Sequence, residues 1–474
     1  MQQINAFEIL GSTPSDNLER LQELLDEKEL LSEDPSAAQN AYSELTNPKK
    51  RIIHEILYIR SNVFNDFNKL VLNGIEITQT DKIATTFVNM GHWFEANNQL
   101  LFFEINGLRK KSGFKPIEEK SILFQAIDSL RSYYIQSANN YLDTLKEQVV
   151  VSIFNKIVKI TDYKSIFIDE LLAHYELIIK ETVKKAEEKC LSDFEEIKTR
   201  CDSFNSGDFF FGGHSLSFDL QEKISHFGKS LKKWDNYVQP MQVNMQKNGG
   251  EHEDSLKLVL EIRSQTIDLC NRSQKSLNKT LEIAFGSGSH NAALSLAVSS
   301  IPEYISDSVR FFSCLILLTD ILIDTFAELE MVTEKLREDR ETLISIKSTV
   351  SNLDQQVQTA KTQVQKSQSY PAVRNTFSSS NSSECGCYIA TCVYGSYDCP
   401  QVWTLRRFRD STLGSTWYGR AFIRIYYAIS PTLVRWFGKT IWFKKIWKGT
   451  LDRMVKRLND KGVQDTPYQD REWK

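Results

Sequence analysis

No run of about 20 apolar residues, the length a bilayer-spanning helix needs, occurs in this 474-residue chain. The most apolar stretch, Phe311 to Leu318 (FFSCLILL), is closed by Arg310 on one side and by Asp320 and Asp324 on the other, so it reads as a buried helix. The first ten residues pass directly into a polar, amphipathic pattern without the basic start and apolar core of a secretory leader. The expected location is therefore the cytoplasm, where disulfides are the least favoured fate of clustered cysteines. Glycine (20) and proline (10) are scarce and no alternating strand pattern appears, which leaves an all-α reading. Histidine is scarce as well, with seven in all and none before His54 or after His290. His214, His226 and His252 stand at no ligand-pair spacing, so they read as surface or core residues.

What is abundant is unevenly placed. The net charge of -3 hides 16 Lys+Arg against 7 Asp+Glu from Gly386 onward, and 42 against 54 before it. Six of the eight tryptophans, Trp403, Trp417, Trp436, Trp442, Trp447 and Trp473, lie in the basic part. Basic and aromatic residues together suit an anionic membrane surface or another polyanion. The competing reading is an aromatic core whose Lys and Arg face water. Nucleic acid ranks below the membrane, because no base-reading motif accompanies the charge.

Residues 1 to about 60 read as three short helices. Phe7 to Gly11 (FEILG) leads through Ser12-Thr13-Pro14-Ser15-Asp16 into a helix with Leu18, Leu21, Leu24 and Leu25 at helical spacing. A third helix ends in AYSELTNPKKR, residues 41 to 51. FEILG and AYSELTNPKKR resemble the corresponding segments of a J-domain, the module by which co-chaperones engage a heat-shock ATPase. That family stimulates its ATPase through a His-Pro-Asp tripeptide between the second and third helices, where this chain has Glu33-Asp34-Pro35. The second helix is also acidic (Glu19, Glu23, Asp26, Glu27, Glu29), whereas J-domains present a basic face. The resemblance implies a J-like fold, and a co-chaperone-like adaptor without ATPase stimulation as one function.

From 61 to 328 long amphipathic stretches, among them 118 to 160 and 165 to 200, predict an elongated helical body broken at Gly207 to Ser217 and at Asn248-Gly249-Gly250. A heptad follows over 329 to 367. Leu329, Leu336, Leu343, Val350, Val357 and Val364 occupy one position, and Val332, Ile346, Leu353 and Ala360 the one three later, with Asp339 the single intrusion. Such a coiled-coil helix pairs with its own copy in a homodimer through 329 to 364, or lies on the helical body. A Ser- and Asn-rich linker, 368 to 384, separates it from a basic module over 385 to 460 and a tail over 461 to 474.

The module reads as four short helices: Pro400 to about Leu413, Ser415 to Ile429, Ser430-Pro431 to Gly438, and about Thr440 to Leu458. On the last, Phe443, Trp447, Leu451, Met454 and Leu458 form an apolar stripe beside Lys444, Lys445, Lys448 and Lys456. CYIATCVYG, VWTLRRFRD and WYGRAFIRIYYAISPTLVRWFG, in this order, resemble the CFI-box, a C-terminal module of bacterial proteins. Cys387, Tyr394-Gly395, Arg407, Arg409, Asp410, Gly419, Arg420, Tyr427, Ser430 and Pro431 match its characteristic positions, and Cys392 departs from it. The resemblance implies membrane-associated placement and brings no activity.

Cys385, Cys387, Cys392 and Cys399 are candidate zinc ligands, although C-x-C-x4-C-x6-C is not the spacing of paired knuckles. The same thiols are candidates for lipidation beside a basic surface. Cys387, Arg407, Arg409 and Asp410 are the candidates for catalysis on a phosphate-bearing or lipid-linked substrate, the arginines lowering the thiol pKa or binding phosphate. Asp410 paired with Arg420 is the structural alternative. Arg420 and Arg424 join the four lysines as candidate anion- or membrane-binding residues. The leading function is a scaffold or interaction protein that presents its basic aromatic module to an anionic surface, expected to be the inner face of the membrane, with a further protein partner of unknown identity.

Overall fold

The computed structural model describes residues 5–31, 34–72, 79–96, 99–205, 216–286, 291–368, 387–439 and 441–469. All regular structure among them is helical, in keeping with the scarcity of Gly and Pro and the helical period of the apolar residues. The expected linker, Glu33, His214, Cys385 and Trp473 lie outside the described residues. The helices group into two compact units, residues 1–187 with 233–252, and residues 188–232 with 253–474. Packing thus divides the chain differently from the segment boundaries read in the sequence, and the basic terminal helices belong to the same unit as the heptad helix.

The first unit opens with four helices rather than three: α1 (Ala6–Leu10), α2 (Leu18–Leu31), α3 (Ser36–Thr46) and α4 (Pro48–Ile59). The continuous helix expected through residue 51 breaks because Pro48 is placed at the first helical position and Asn47 caps it, accepting from the backbone N–H groups of Lys49 and Lys50. Gly11 ends α1 at φ 72°, a left-handed conformation that a side chain resists. Ala6, Phe7, Leu10, Leu21, Leu25, Ala38, Ala41 and Leu45 form the small core between these helices.

A buried ionic cluster ties this core to α7 (Gln99–Ser112). Arg51 Nε donates to Glu55 Oε1 at 2.8 Å and its Nη2 to Pro14 O at 3.0 Å. Arg109 Nε donates to Glu55 Oε2 at 2.9 Å and its Nη2 to Pro48 O at 3.0 Å. The Arg51 guanidinium also stacks on Phe114, 3.8 Å from the ring centre. None of the three charged side chains is more than 3% exposed.

His54 joins α4 to α1. Its Nδ1 accepts the Ala6 N–H at 3.1 Å, which fixes the ring proton on Nε2 facing Glu44 Oε2 at 2.9 Å. Burial lowers its pKa below 6.5, and the Glu44 carboxylate only partly offsets this. The neutral form is thus favoured in the folded state, while the unfolded chain takes up a proton first. The stability His54 contributes is complete above about pH 6.5 and is lost as pH falls toward the depressed folded value. The unfolding free energy from urea titrations is expected to fall between pH 7.5 and 5.5 by up to about 1.4 kcal/mol per pH unit, and a His54→Gln variant is expected to lose that component.

The rest of the unit is α5 (Ser61–Leu72), α6 (Thr80–Glu95), α8 (Lys120–Asp143), α9 (Glu147–Ile160) and portions of α10 (Ile166–Asn205) and α11 (Leu216–Lys247). The stretch expected to run from 118 to 160 is interrupted at 144–146. Its core is aromatic, with Phe64 stacked on Tyr134 and edge-on to Trp93.

In the second unit α12 (Glu253–Gly286), α13 (Asn291–Thr325) and α14 (Glu330–Gln368) pack together. Phe311, Phe312, Leu315 and Leu318 of the FFSCLILL run are all buried, and no helix among the described residues is long and apolar enough to cross a membrane. Along α14 the heptad residues from Leu329 through Ala360 are buried by the chain itself, chiefly against α13. Asp339, the polar intrusion, is met by Arg263 of α12, Nε to Oδ2 at 2.5 Å. A second copy paired with α14 would therefore need a face other than the heptad stripe.

Candidate functional site

The terminal helices differ from the four expected. α15 (Tyr388–Tyr394) precedes α16 (Pro400–Phe408), which continues as a π-turn over Arg409–Leu413. α17 (Trp417–Phe437) and α18 (Ile441–Asp460) follow. Ser430-Pro431 does not start a helix. Pro431 sits inside α17, where Ile429, Ser430 and Leu433 are all buried, so packing on both sides holds the helix through a residue that would break an exposed one.

Gly419 shows why the chain is tight where the π-turn meets α17. A Cβ there would lie 2.0 Å from the carbonyl oxygen of Leu413, a backbone atom with nowhere to move. The turn itself closes by Gly414 N–H donating to Arg409 O at 2.8 Å. Its wider winding brings two neighbouring side chains into one bidentate pair: Arg409 Nε reaches Asp410 Oδ1 at 2.5 Å and Nη2 reaches Oδ2 at 2.9 Å. Arg409 Nη1 donates to the Tyr427 hydroxyl at 2.7 Å, and the Tyr468 hydroxyl donates to Asp410 Oδ2 at 3.1 Å. Burial opposes the charge on Arg409, but Asp410, Tyr427 and Cys387 together outweigh it and hold the guanidinium above its usual range. The expected Asp410–Arg420 pair is not made, because Asp410 is turned inward to Arg409. Arg420 is exposed and donates to Gly414 O at 3.1 Å.

Of the candidate catalytic residues, Cys387 and Arg409 line one cavity of about 80 Å³ with Leu405, Phe422, Tyr426 and Trp447. Asp410 reaches it only through Arg409. A small-molecule site needs roughly 300–1,000 Å³, so this space holds no substrate of that size. Tyr426 also lines this space, and burial holds its phenol well above the usual range. Arg407 is turned away. It clamps the tail, donating to the carbonyls of Gln464, Thr466 and Pro467 at 2.9–3.2 Å and lying over the Tyr468 ring. Arg406 is the buried member of that pair, stacked 4.1 Å over Tyr397.

The cysteines go to separate places. Cys387 is buried at the start of α15, Cys392 Sγ faces Gly438 O at 3.6 Å, and Cys399 Sγ faces Ser396 O at 3.6 Å. None of the three is joined in a disulfide. Burial raises the Cys392 pKa, with Lys444 opposing. Among the described residues no three His, Cys, Asp or Glu side chains converge as metal ligands.

α18 carries the apolar stripe inward. Phe443, Trp447, Leu451 and Leu458 are buried, and Met454 is half-buried. Trp447 Nε1 donates to Asn278 Oδ1 of α12 at 3.4 Å, and the Thr450 hydroxyl meets Glu282 on the same helix. Lys444, Lys445, Lys448 and Lys456 are exposed, and among the described residues none of them forms an ion pair. Asp452 lies in their arc and accepts the Tyr394 hydroxyl at 2.7 Å. Sequence spacing gave no sign of Tyr426, of Tyr468 or of the Asn278–Trp447 bond, since each depends on where another helix or the tail lies.

No family model, curated protein or solved structure matches this chain.

Proposed function

We propose that this is an interaction protein whose last helix presents a cationic face to an anionic membrane surface. The supporting observation is the division of labour on α18: its apolar stripe is used up in packing, and four exposed lysines remain without ion-pair partners among the described residues. Trp447 and Phe443 are core residues, so the contact is electrostatic rather than an insertion of these rings. Each lysine held near an anionic bilayer contributes about 1 kcal/mol, an effect that falls away within a Debye length of about 8 Å in physiological salt.

The J-like start suits an adaptor that engages a protein partner. The absent His-Pro-Asp tripeptide argues against ATPase stimulation. Full-length protein is expected to float with vesicles containing phosphatidylserine and not with phosphatidylcholine alone, and to be released by salt. Replacing Lys444, Lys445, Lys448 and Lys456 together by Gln is expected to weaken binding by about 4 kcal/mol, roughly a thousandfold. Equal recovery on neutral and anionic vesicles, or undiminished recovery of the variant, would remove this reading.

A further inference from the structure

Two helices packed side by side normally close an apolar seam between them, yet α14 and α17 leave a groove of about 870 Å³, a volume within the range of small-molecule sites. The α14 wall is polar, with Thr349, Asn352, Gln355, Gln356 and Thr359. The α17 wall places Arg424 at one end and Arg435 at the other. Eleven residues separate the two arginines, which puts them on the same face of α17, about 16 Å apart along its axis. Both are exposed, neither is paired among the described residues, and no acidic residue is among those lining the groove.

Between them the wall contains Tyr427, whose hydroxyl is tied to the buried Arg409–Asp410 pair, and Pro431. Guanidinium forks at the ends fit phosphate oxygens. The amides and hydroxyls of the α14 wall fit alcohol groups.

We infer that this groove binds a soluble phosphorylated polyol, with anionic groups toward Arg424 and Arg435 and hydroxyls along the polar wall. This goes beyond the membrane reading and uses different side chains. Fructose 1,6-bisphosphate serves as the test ligand in titration calorimetry on the full chain, with fructose, inorganic tripolyphosphate and phosphatidylserine vesicles as comparisons. The bisphosphate is expected to bind more tightly than tripolyphosphate, and fructose not at all. Arg424→Gln and Arg435→Gln are each expected to weaken the bisphosphate roughly tenfold or more at an unchanged thermal midpoint, both residues being exposed.

The fourfold lysine variant of α18 is expected to bind the bisphosphate as the unaltered protein does. Unchanged affinity in the double arginine variant would overturn the inference, and so would the absence of bisphosphate binding. Loss of vesicle recovery in the arginine variants without any soluble ligand binding would assign the groove to lipid headgroups instead and equally overturn it.

Discussion

Replacing Glu55 by glutamine is expected to destabilise the first unit by about 3–5 kcal/mol, because it leaves the guanidinium groups of Arg51 and Arg109 facing each other in the interior without a counter-charge. The glutamine keeps the shape of the side chain, so no cavity contributes. Burial alone pushes the Glu55 carboxyl above its usual range, against the pull of Arg109 and Arg51. The cluster is therefore costly to assemble and costlier to break on one side. The guanidiniums also donate to Leu45 O, Pro14 O, Lys115 O and Pro48 O. Loss of the central carboxylate should thus loosen the entry to α2, the α3–α4 junction and the end of α7 together. Urea denaturation followed by tryptophan fluorescence, with Trp93 and Trp234 reporting on this unit, measures the shift. Glu44→Gln serves as the comparison, since that carboxylate is 42% exposed and an exposed pair is worth about 0–1 kcal/mol. A Glu55→Gln midpoint no lower than that of Glu44→Gln would show that the cluster carries no such weight.

This cluster also marks where sequence reading stops. The helical class, the buried FFSCLILL helix, the heptad stripe of α14 and the inward face of α18 were legible, because each depends on a period within one segment. The Asn47-Pro48 start of α4 is carried by capping chemistry that the sequence itself displays, although the apolar period runs on across it. The Ser430-Pro431 pair misled in the opposite direction. A capping residue followed by proline is a start signal on an exposed helix, and only burial of Ile429 and Leu433 by neighbours lets α17 continue past it. Partners could not be read at all. Arg51 and Arg109 are 58 positions apart, and Asp410 and Tyr468 meet across a turn and a tail whose path no local pattern sets.

The same limit explains the candidate site. The motif resemblance that makes Cys387, Arg407, Arg409 and Asp410 candidates carries no information on where each side chain turns, and helical phase turns them in different directions. Arg409 and Asp410 turn inward on the π-turn, and Arg407 turns outward to the tail. The groove between α14 and α17 has no local signature for a related reason, since its two walls come from segments separated by the Ser- and Asn-rich stretch.

Asp410→Ala is expected to cost the second unit about 3–5 kcal/mol, since Arg409 would remain buried with its bidentate partner gone, whereas Arg420→Ala is expected to cost no more than about 1 kcal/mol. The two residues would behave alike if they formed the pair that their neighbourhood on adjacent helices suggests, so the contrast is decisive between the arrangements. Asp410 is 1% exposed at its side chain and also accepts the Tyr468 hydroxyl, so its loss should free the tail as well. Hydrogen exchange should then rise in peptides covering 405–437 and 463–469 together, while the heptad face of α14 keeps its protection. Arg409→Ala should cost a similar amount by exposing the converse defect, a buried carboxylate. The Arg409→Ala, Asp410→Ala double variant should cost clearly less than the sum of the two single changes, because the second removal takes away a charge already left unpaired by the first. A double variant whose loss equals that sum would show that the two side chains act independently.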